Sequence, residues 1–433
     1  MLLAYQVFLL YGLYNLLTIC FTMILSNVHD IVLVKTRPVT KNEHVTLDHY
    51  YDTPLISIII PAHNEEKAIE RCLQSIVRLD YPHYEVIVVD DGSKDLTNQK
   101  SLGYLWGHYT AKELANAKHA PSIKYYRLKV NAGKAKALNA GLLLAKGDIV
   151  VCMDADATFK HDALLRGANY FKDSKVSVLA VNNKLVAHKA TPLNILQRFD
   201  FIGNYRSKKA YDMLNAEYIV SGIGAMYRRA DLLSIGGFPT DTMTEDIDTS
   251  LMIVLLGSKN HRVRYAEDVI TYMEPVHTFK DLLKQRFRWK FGNVQALYKN
   301  RAYIKKSSAH SSWLIYWRLP MAVISELTLV IEVLFFAFMF YISVLIGNGL
   351  FLLASYFVAT LLCAMTFYAD DTVTKKERTQ LAKYIPIMYF LSLLMNVVQF
   401  WAFAKSITQI HSISKRTDGY TWVSPTRTGA SLQ

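Results

Sequence analysis

From Leu2 to Leu25 the chain carries no charged residue, and its first is Asp30. Such a run is long enough to cross a hydrocarbon layer of roughly 30 Å, which takes ~20 residues as a helix. A secretory signal peptide competes, but it calls for a basic start and a small-residue cleavage site, and neither is present. A retained span is therefore expected. Three more apolar stretches follow at 319–346, 350–369 and 384–404, and the last two are free of charge. The first holds Glu326 and Glu332. Acids at membrane depth either line a protein-filled or wet path or snorkel to an interface. Six residues apart, these two do not share one narrow helix face.

The formal net charge is +13, and its placement matters more than its size. Lys35 and Arg37 follow the first span, while Lys299, Arg301, Lys305 and Lys306 precede the second. By the positive-inside tendency the polar middle section is cytoplasmic, and Lys375, Lys376 and Arg378 fit the same side. Lys405, Lys415 and Arg416 do not fit four simple crossings, so either one stretch is a hairpin or the bias fails there. Nucleic-acid binding is disfavoured, because the basic residues gather around the spans and not along an aromatic-lined groove. The four cysteines show no metal-ligand spacing; Cys20 and Cys363 lie in apolar spans, and Cys72 and Cys152 in the middle section, as free thiols.

Between about residues 54 and 289 the pattern changes to short β-rich runs alternating with helical stretches. "LISIIIPAHNEE", "YEVIVVDDGSKD", "SIKYYRL" and "GDIVVCMDADATF" read as strands, and "AIERCLQSIVRL" as a helix with Ile69, Leu73, Ile76 and Val77 on one face. Continuous Ile and Val strands alternating with helices predict an α/β domain with a mainly parallel sheet. Such sheets bind ligands beyond the carboxyl ends of their strands, and that is where the acids of this section fall.

"VVDDGS", with Asp90 and Asp91, is by itself as well explained by a turn. "MDADA" says more: Asp154 and Asp156 alternate on an extended stretch, a spacing that suits a hard divalent cation on phosphate oxygens. In "NAGKAKALNAG", Gly133 permits a tight turn and Lys134 is placed to meet a phosphate, although the spacing is not that of a P-loop. In "KQRFRWKFG", Gln285, Arg288 and Trp289 fall at i, i+3 and i+4, one helix face suited to a diphosphate beside a sugar ring. Leu282, Leu283, Phe287 and Phe291 of the same stretch equally suit an interfacial helix turned to lipid. In "TEDIDTS", Glu245 and Asp246 stand side by side, and a helix N-cap by Thr244 explains that motif alone just as well.

Together "PAHNEE", "VVDDGSKD", "GKAKALNAG", "MDADA", "VSGIGAMYRR", "GGF", "TEDIDTS" and "QRFRW" resemble, in order and spacing and over nearly the whole chain, the processive membrane-embedded family 2 glycosyltransferases. That family includes cellulose, chitin, hyaluronan and poly-β-1,6-N-acetylglucosamine synthases. The resemblance implies a GT-A-like nucleotide-binding domain flanked by transmembrane helices. It implies that Glu65 and the loop around Ala62 to Asn64 border the uridine, together with Asp90 and Asp91. Lys134 and Asp154 would lie along the nucleotide, with Asp154 and Asp156 the metal-site acids and Asp156 holding Mg²⁺ or Mn²⁺ on the diphosphate. Asp246 would be the catalytic base with Glu245 positioning or tuning it. Gln285, Arg286, Arg288 and Trp289 would hold the diphosphate and the acceptor end of the polymer, Trp289 on the acceptor.

The implied partners are a UDP-sugar donor, a growing polysaccharide acceptor, membrane lipid and a small membrane partner subunit, at the cell membrane with the catalytic section cytoplasmic. The layout and the tail "GYTWVSPTRTG" are most similar to poly-β-1,6-N-acetylglucosamine synthases; cellulose synthases usually carry a longer extension after the membrane region. Hyaluronan-, chitin- and cellulose-type synthesis remain alternatives, and His63 departs from the Tyr or Phe common there. A transporter or scaffold with a degenerate nucleotide-binding domain is the reading from another class, against which stand the acids at 90, 154, 156 and 246. The expected division is 1–34 first span, 52–275 catalytic domain, 276–312 interfacial helices, 313–406 membrane region and 407–433 tail.

Overall fold

The Ile and Val runs become strands buried on both faces. In this computed structural model, residues 2–36, 53–107, 122–186, 190–256, 261–306, 310–370 and 373–410 are described; the tail motif and Lys415 and Arg416 lie outside them. The strands are β1 (Ile56–Ala62), β2 (Tyr84–Asp90), β3 (Ser122–Arg127), β4 (Ile149–Cys152), β5 (Thr158–Phe159), β6 (Val176–Leu185), β7 (Met226–Arg228) and β8 (Arg262–Met273). They form one sheet in the order β3-β2-β1-β4-β7-β6-β8-β5. β1 pairs parallel with β2 and β4, β2 with β3, and β6 with β8. β7 runs antiparallel between β4 and β6, and β5 antiparallel to β8. The sheet is thus mainly parallel but mixed, a GT-A-like fold. Side chains alternate across it: Ile56, Ile58 and Ile60 enter one core, while Ile59, Ile87 and Val89 enter the other. The helix Ile69–Val77 buries the face that its spacing predicted.

Among the described residues, two helices are long and apolar enough to cross a membrane, Gln6–Val32 and Ile385–Thr408. A third candidate is broken: Leu314–Glu326 and Ile331–Ile346 meet at 53°. The stretch expected to span at 350–369 gives a shorter apolar helix, Leu352–Tyr368. The first turn of the broken pair, Leu314–Arg318, is a π-helix, a distortion often found at functional sites.

The catalytic section is fastened to the first helix by charge. The Arg206 guanidinium lies 2.9 Å and the Lys209 ammonium 2.8 Å from Asp30. Lys209 also pairs with Glu267, and His29 and Arg264 reach Asp212 at 3.1 and 2.7 Å. Lys209 is only 1% exposed, so these partners are what make its burial tolerable.

Candidate active site

Beyond the carboxyl ends of β1 and β4 lies a cavity of about 530 Å³ that continues to the apolar helices. Of the residues singled out from the sequence, its wall includes Ala62, Glu65, Asp91, Lys134, Asp154, Asp156, Glu245, Asp246, Gln285, Arg286, Arg288 and Trp289. Asn64 and Asp90 are not on that wall. Asn64, at φ 57°, donates its backbone N–H to Ser93 and accepts from Lys94 N–H, at 3.0 and 2.9 Å. Asp90 is wholly buried and accepts from Ser93 N–H and the Tyr125 hydroxyl, both at 2.8 Å. These two fold the loop from which Asp91 reaches the cavity. Asp91 in turn accepts from Ala132 and Gly133 N–H at 2.7 and 2.8 Å, fixing the turn that starts the helix Lys134–Leu144.

The acids of "TEDIDTS" divide two ways. The helix Glu245–Leu256 points Glu245 and Asp246 to the cavity, whereas Asp248 is fully buried. Asp248 accepts from Asn300 Nδ2 at 2.7 Å and pairs with Lys299 at 3.0 Å, tying this helix to the end of Phe279–Lys299. Thr244 does not cap the helix, for its hydroxyl has no hydrogen-bond partner among the described residues. It is instead pressed against Gly292, where any side chain would collide with it. The N–H of Ile247 donates to Asp246 at 2.9 Å.

Lys134 sits among these acids. Its Nζ lies 2.7 Å from Asp154 and 3.3 Å from Glu245. Burial alone would lower its pKa, but Asp154, Glu245 and Asp246 outweigh burial and hold it charged. Burial, then the adjacent Glu245 charge, pushes Asp246 up to about 6, with Lys134 and Arg288 opposing. A carboxylate of that kind is ionised at neutral pH and basic enough to accept a hydroxyl proton. The approach is close: a Cβ on Gly222 would stand 2.9 Å from Lys134 Nζ and 3.1 Å from Asp246 Oδ2.

Asp154 and Asp156 offer a hard-oxygen donor pair, which fits Mg²⁺ or Mn²⁺. A second grouping, His29, Asp30 and Glu267, brings its donor atoms within 4.8 Å. Both of its acids pair with the Lys209 ammonium, as Asp154 does with Lys134, and it lies away from the cavity wall.

Along Phe279–Lys299, Trp289 lies under the Arg286 guanidinium at 4.6 Å and 6.2 Å from Phe201. Arg286 is held by Asp200 at 2.8 Å. The apolar residues of this helix do not need lipid: Leu282 packs in a cluster with Ile385 and Met388, and Phe287 lies 6.5 Å from Trp401. The cavity wall also includes Lys208, Tyr211, Tyr218, Asn293, Arg318 and Glu326, none of which the sequence assigned to the site. Only Glu326 carried a signal, as an acid inside an apolar run.

Residues 57–236 match the model of glycosyl transferase family 2, and residues 149–404 that of glycosyl transferase family group 2. The chain belongs to the family 2 glycosyltransferases. Among this family's members, a poly-beta-1,6-N-acetyl-D-glucosamine synthase of Staphylococcus epidermidis is 24% identical over 410 residues, covering 91% of this chain and 92% of the relative. One of Staphylococcus aureus (strain COL) is 27% identical over 246 residues, 57% of this chain and 56% of the relative. A mannosyltransferase from Pyrobaculum calidifontis, solved with GDP-Man and Mn²⁺, superposes with a TM-score of 0.54 at 22% identity, covering 90% of this chain and 99% of that one. That likeness concerns the fold. This family 2 glycosyltransferase is therefore an enzyme with helices suited to a membrane.

Proposed function

We propose that this enzyme is an inverting, processive glycosyltransferase that transfers N-acetylglucosamine from UDP-N-acetylglucosamine to a growing β-linked polysaccharide, poly-β-1,6-N-acetylglucosamine. One observation carries this reading: Asp246, the Asp154–Asp156 pair and Trp289 share a single cavity that continues to the apolar helices. The names of the relatives support the product. Here 52–275 is the catalytic unit on the cytoplasmic side, and 276–312 joins it to the membrane helices.

Glu65 and Asp91 border the uridine, and Asn64 and Asp90 act through the loop they fold. Asp154 and Asp156 hold Mg²⁺ or Mn²⁺, which when bound offsets the negative charge of the diphosphate. Arg288 lies by the same charge, and Gln285 and Arg286 shape the wall beside it. Asp246 accepts the proton of the attacking acceptor hydroxyl, whose oxygen bonds to the anomeric carbon as the nucleotide leaves. Attack from the far face turns an α-linked donor into a β-linked product. Glu245 keeps Asp246 basic, while Lys134 beside them favours its ionised form. The test is incubation of the purified enzyme with single UDP-sugars, with and without chelator, followed by linkage-specific hydrolase digestion. Polymer from UDP-N-acetylglucosamine alone, cut only by a β-1,6-specific hydrolase and lost in chelator, is expected. Polymer from another donor overturns the product assignment.

A further inference from the structure

The stretch that carries Asp154 and Asp156 is held from behind by one helix. Arg71 and Cys72 are neighbours on Ile69–Val77. The Arg71 guanidinium donates from Nη2 to the Asp156 main-chain carbonyl at 3.0 Å, and the Cys72 thiol donates weakly to the Asp154 carbonyl at 3.7 Å. One turn on, Ser75 Oγ accepts from Phe159 N–H at 3.3 Å. The helix thus grips main-chain groups, while the carboxylates of Asp154 and Asp156 stay on the cavity wall. Arg71 itself is not on that wall.

The second arm of the Arg71 fork has its own anchor. Nη1 donates to Glu274 Oε1 at 3.0 Å, and Glu274 is only 3% exposed. His277 Nε2 stands 3.5 Å from the other oxygen, Oε2. Glu274 follows the last residue of β8, in the linker to the helix Phe279–Lys299. That linker is fixed again at Val276, which exchanges two hydrogen bonds with the buried Gln197 side chain, N–H to Oε1 at 3.1 Å and Nε2 to carbonyl at 3.0 Å. A buried ion pair adds little net stability over apolar groups of the same volume, so stability does not account for this one. A guanidinium differs from an ammonium in holding its donors in a rigid planar fork. Here the fork sets the place of the Asp156 main chain relative to a linker that is itself fixed.

We propose that Arg71 and Glu274 are positioning residues for the metal site, Arg71 fixing Asp156 in the geometry that takes Mg²⁺ or Mn²⁺ and Glu274 anchoring Arg71. The inference rests on Asp154 and Asp156 as the metal acids and adds to that reading the side chains that aim them.

The test uses the full-length enzyme in nanodiscs. Mn²⁺ binding is titrated by electron paramagnetic resonance in the presence of UDP, beside UDP affinity measured in chelator. Arg71→Lys keeps the charge and loses the fork; Glu274→Gln removes the anchor without touching the metal stretch. In each, Mn²⁺ affinity falls about tenfold to hundredfold, the scale for a lost partner behind a metal ligand, while UDP affinity in chelator stays at the wild-type value. If a single variant does not fold, Arg71→Met/Glu274→Gln leaves no unpaired buried charge and shows the same fall. Unchanged Mn²⁺ affinity in a folded variant overturns the positioning role, and so does a loss of metal-free UDP binding in step with it, which marks a merely structural pair. No Mn²⁺ binding by the wild type overturns the metal reading and this inference with it.

Discussion

Each acid of the site is set by what it touches. Asp246 and Asp248 are two residues apart, yet one faces the cavity and the other is buried on Lys299 and Asn300. As the proposed base, Asp246 is expected to contribute the range usual for positioned proton transfer. Asp246→Asn should therefore lower kcat by about a hundredfold to ten-thousandfold with nucleotide affinity little changed, as isothermal titration against UDP and a turnover assay will show. The pH dependence follows in sign. Burial and Glu245 raise the Asp246 pKa to about 6, and only the ionised form accepts a proton. Turnover should thus fall as pH drops through about 6, and the Asn variant should lose that limb of the profile. The positions of Asp154 and Asp156 were legible because acids after an apolar strand stand out, and Asp246 was legible through the family resemblance that "TEDIDTS" helps to carry. The pairing of Lys134 with Asp154 was not, because it depends on where the fold sets the start of the helix from Lys134 relative to the end of the next strand, β4, and to the distant helix from Glu245.

At the scale of elements, the helix Phe279–Lys299 and the helix Glu245–Leu256 meet with almost no space between them. Gly292 is the reason, since any side chain there would overlap the Thr244 side chain. Gly292→Ala should force the helices apart at a cost of about 1–3 kcal/mol, typical of overpacking, and misalign Asp246 with Trp289. Thermal unfolding of the purified protein will read the first effect and turnover the second, with partial recovery of both in Gly292→Ala/Thr244→Ala. Strands β1, β2 and β4 were evident as Ile/Val runs, and β3 from "SIKYYRL". Strands β5 to β8 were not, because β5 and β7 are short and β8 alternates buried with half-buried residues. The apolar face of Phe279–Lys299 suited lipid equally well in the sequence; only packing shows it covered by Ile385–Thr408.

For the whole molecule, the first apolar helix and the catalytic section are joined by Asp30, Arg206, Lys209 and Glu267. Asp30→Ala would leave the buried Arg206 and Lys209 short of a counter-charge, a loss of about 3–5 kcal/mol for a broken buried pair. A lower unfolding temperature of the purified protein should report it. None of this network was visible in the sequence, because its members are separated by as many as 237 positions, from Asp30 to Glu267. The central claim is that one cavity joins donor chemistry to an acceptor path, and Trp289 is where the two meet. An indole gives a flat apolar face for a sugar ring. The most direct measurement is UDP affinity and polymer formation on the same purified Trp289→Ala protein. The account predicts UDP affinity close to wild type with chain elongation stopped; normal chain growth by that folded variant would contradict it.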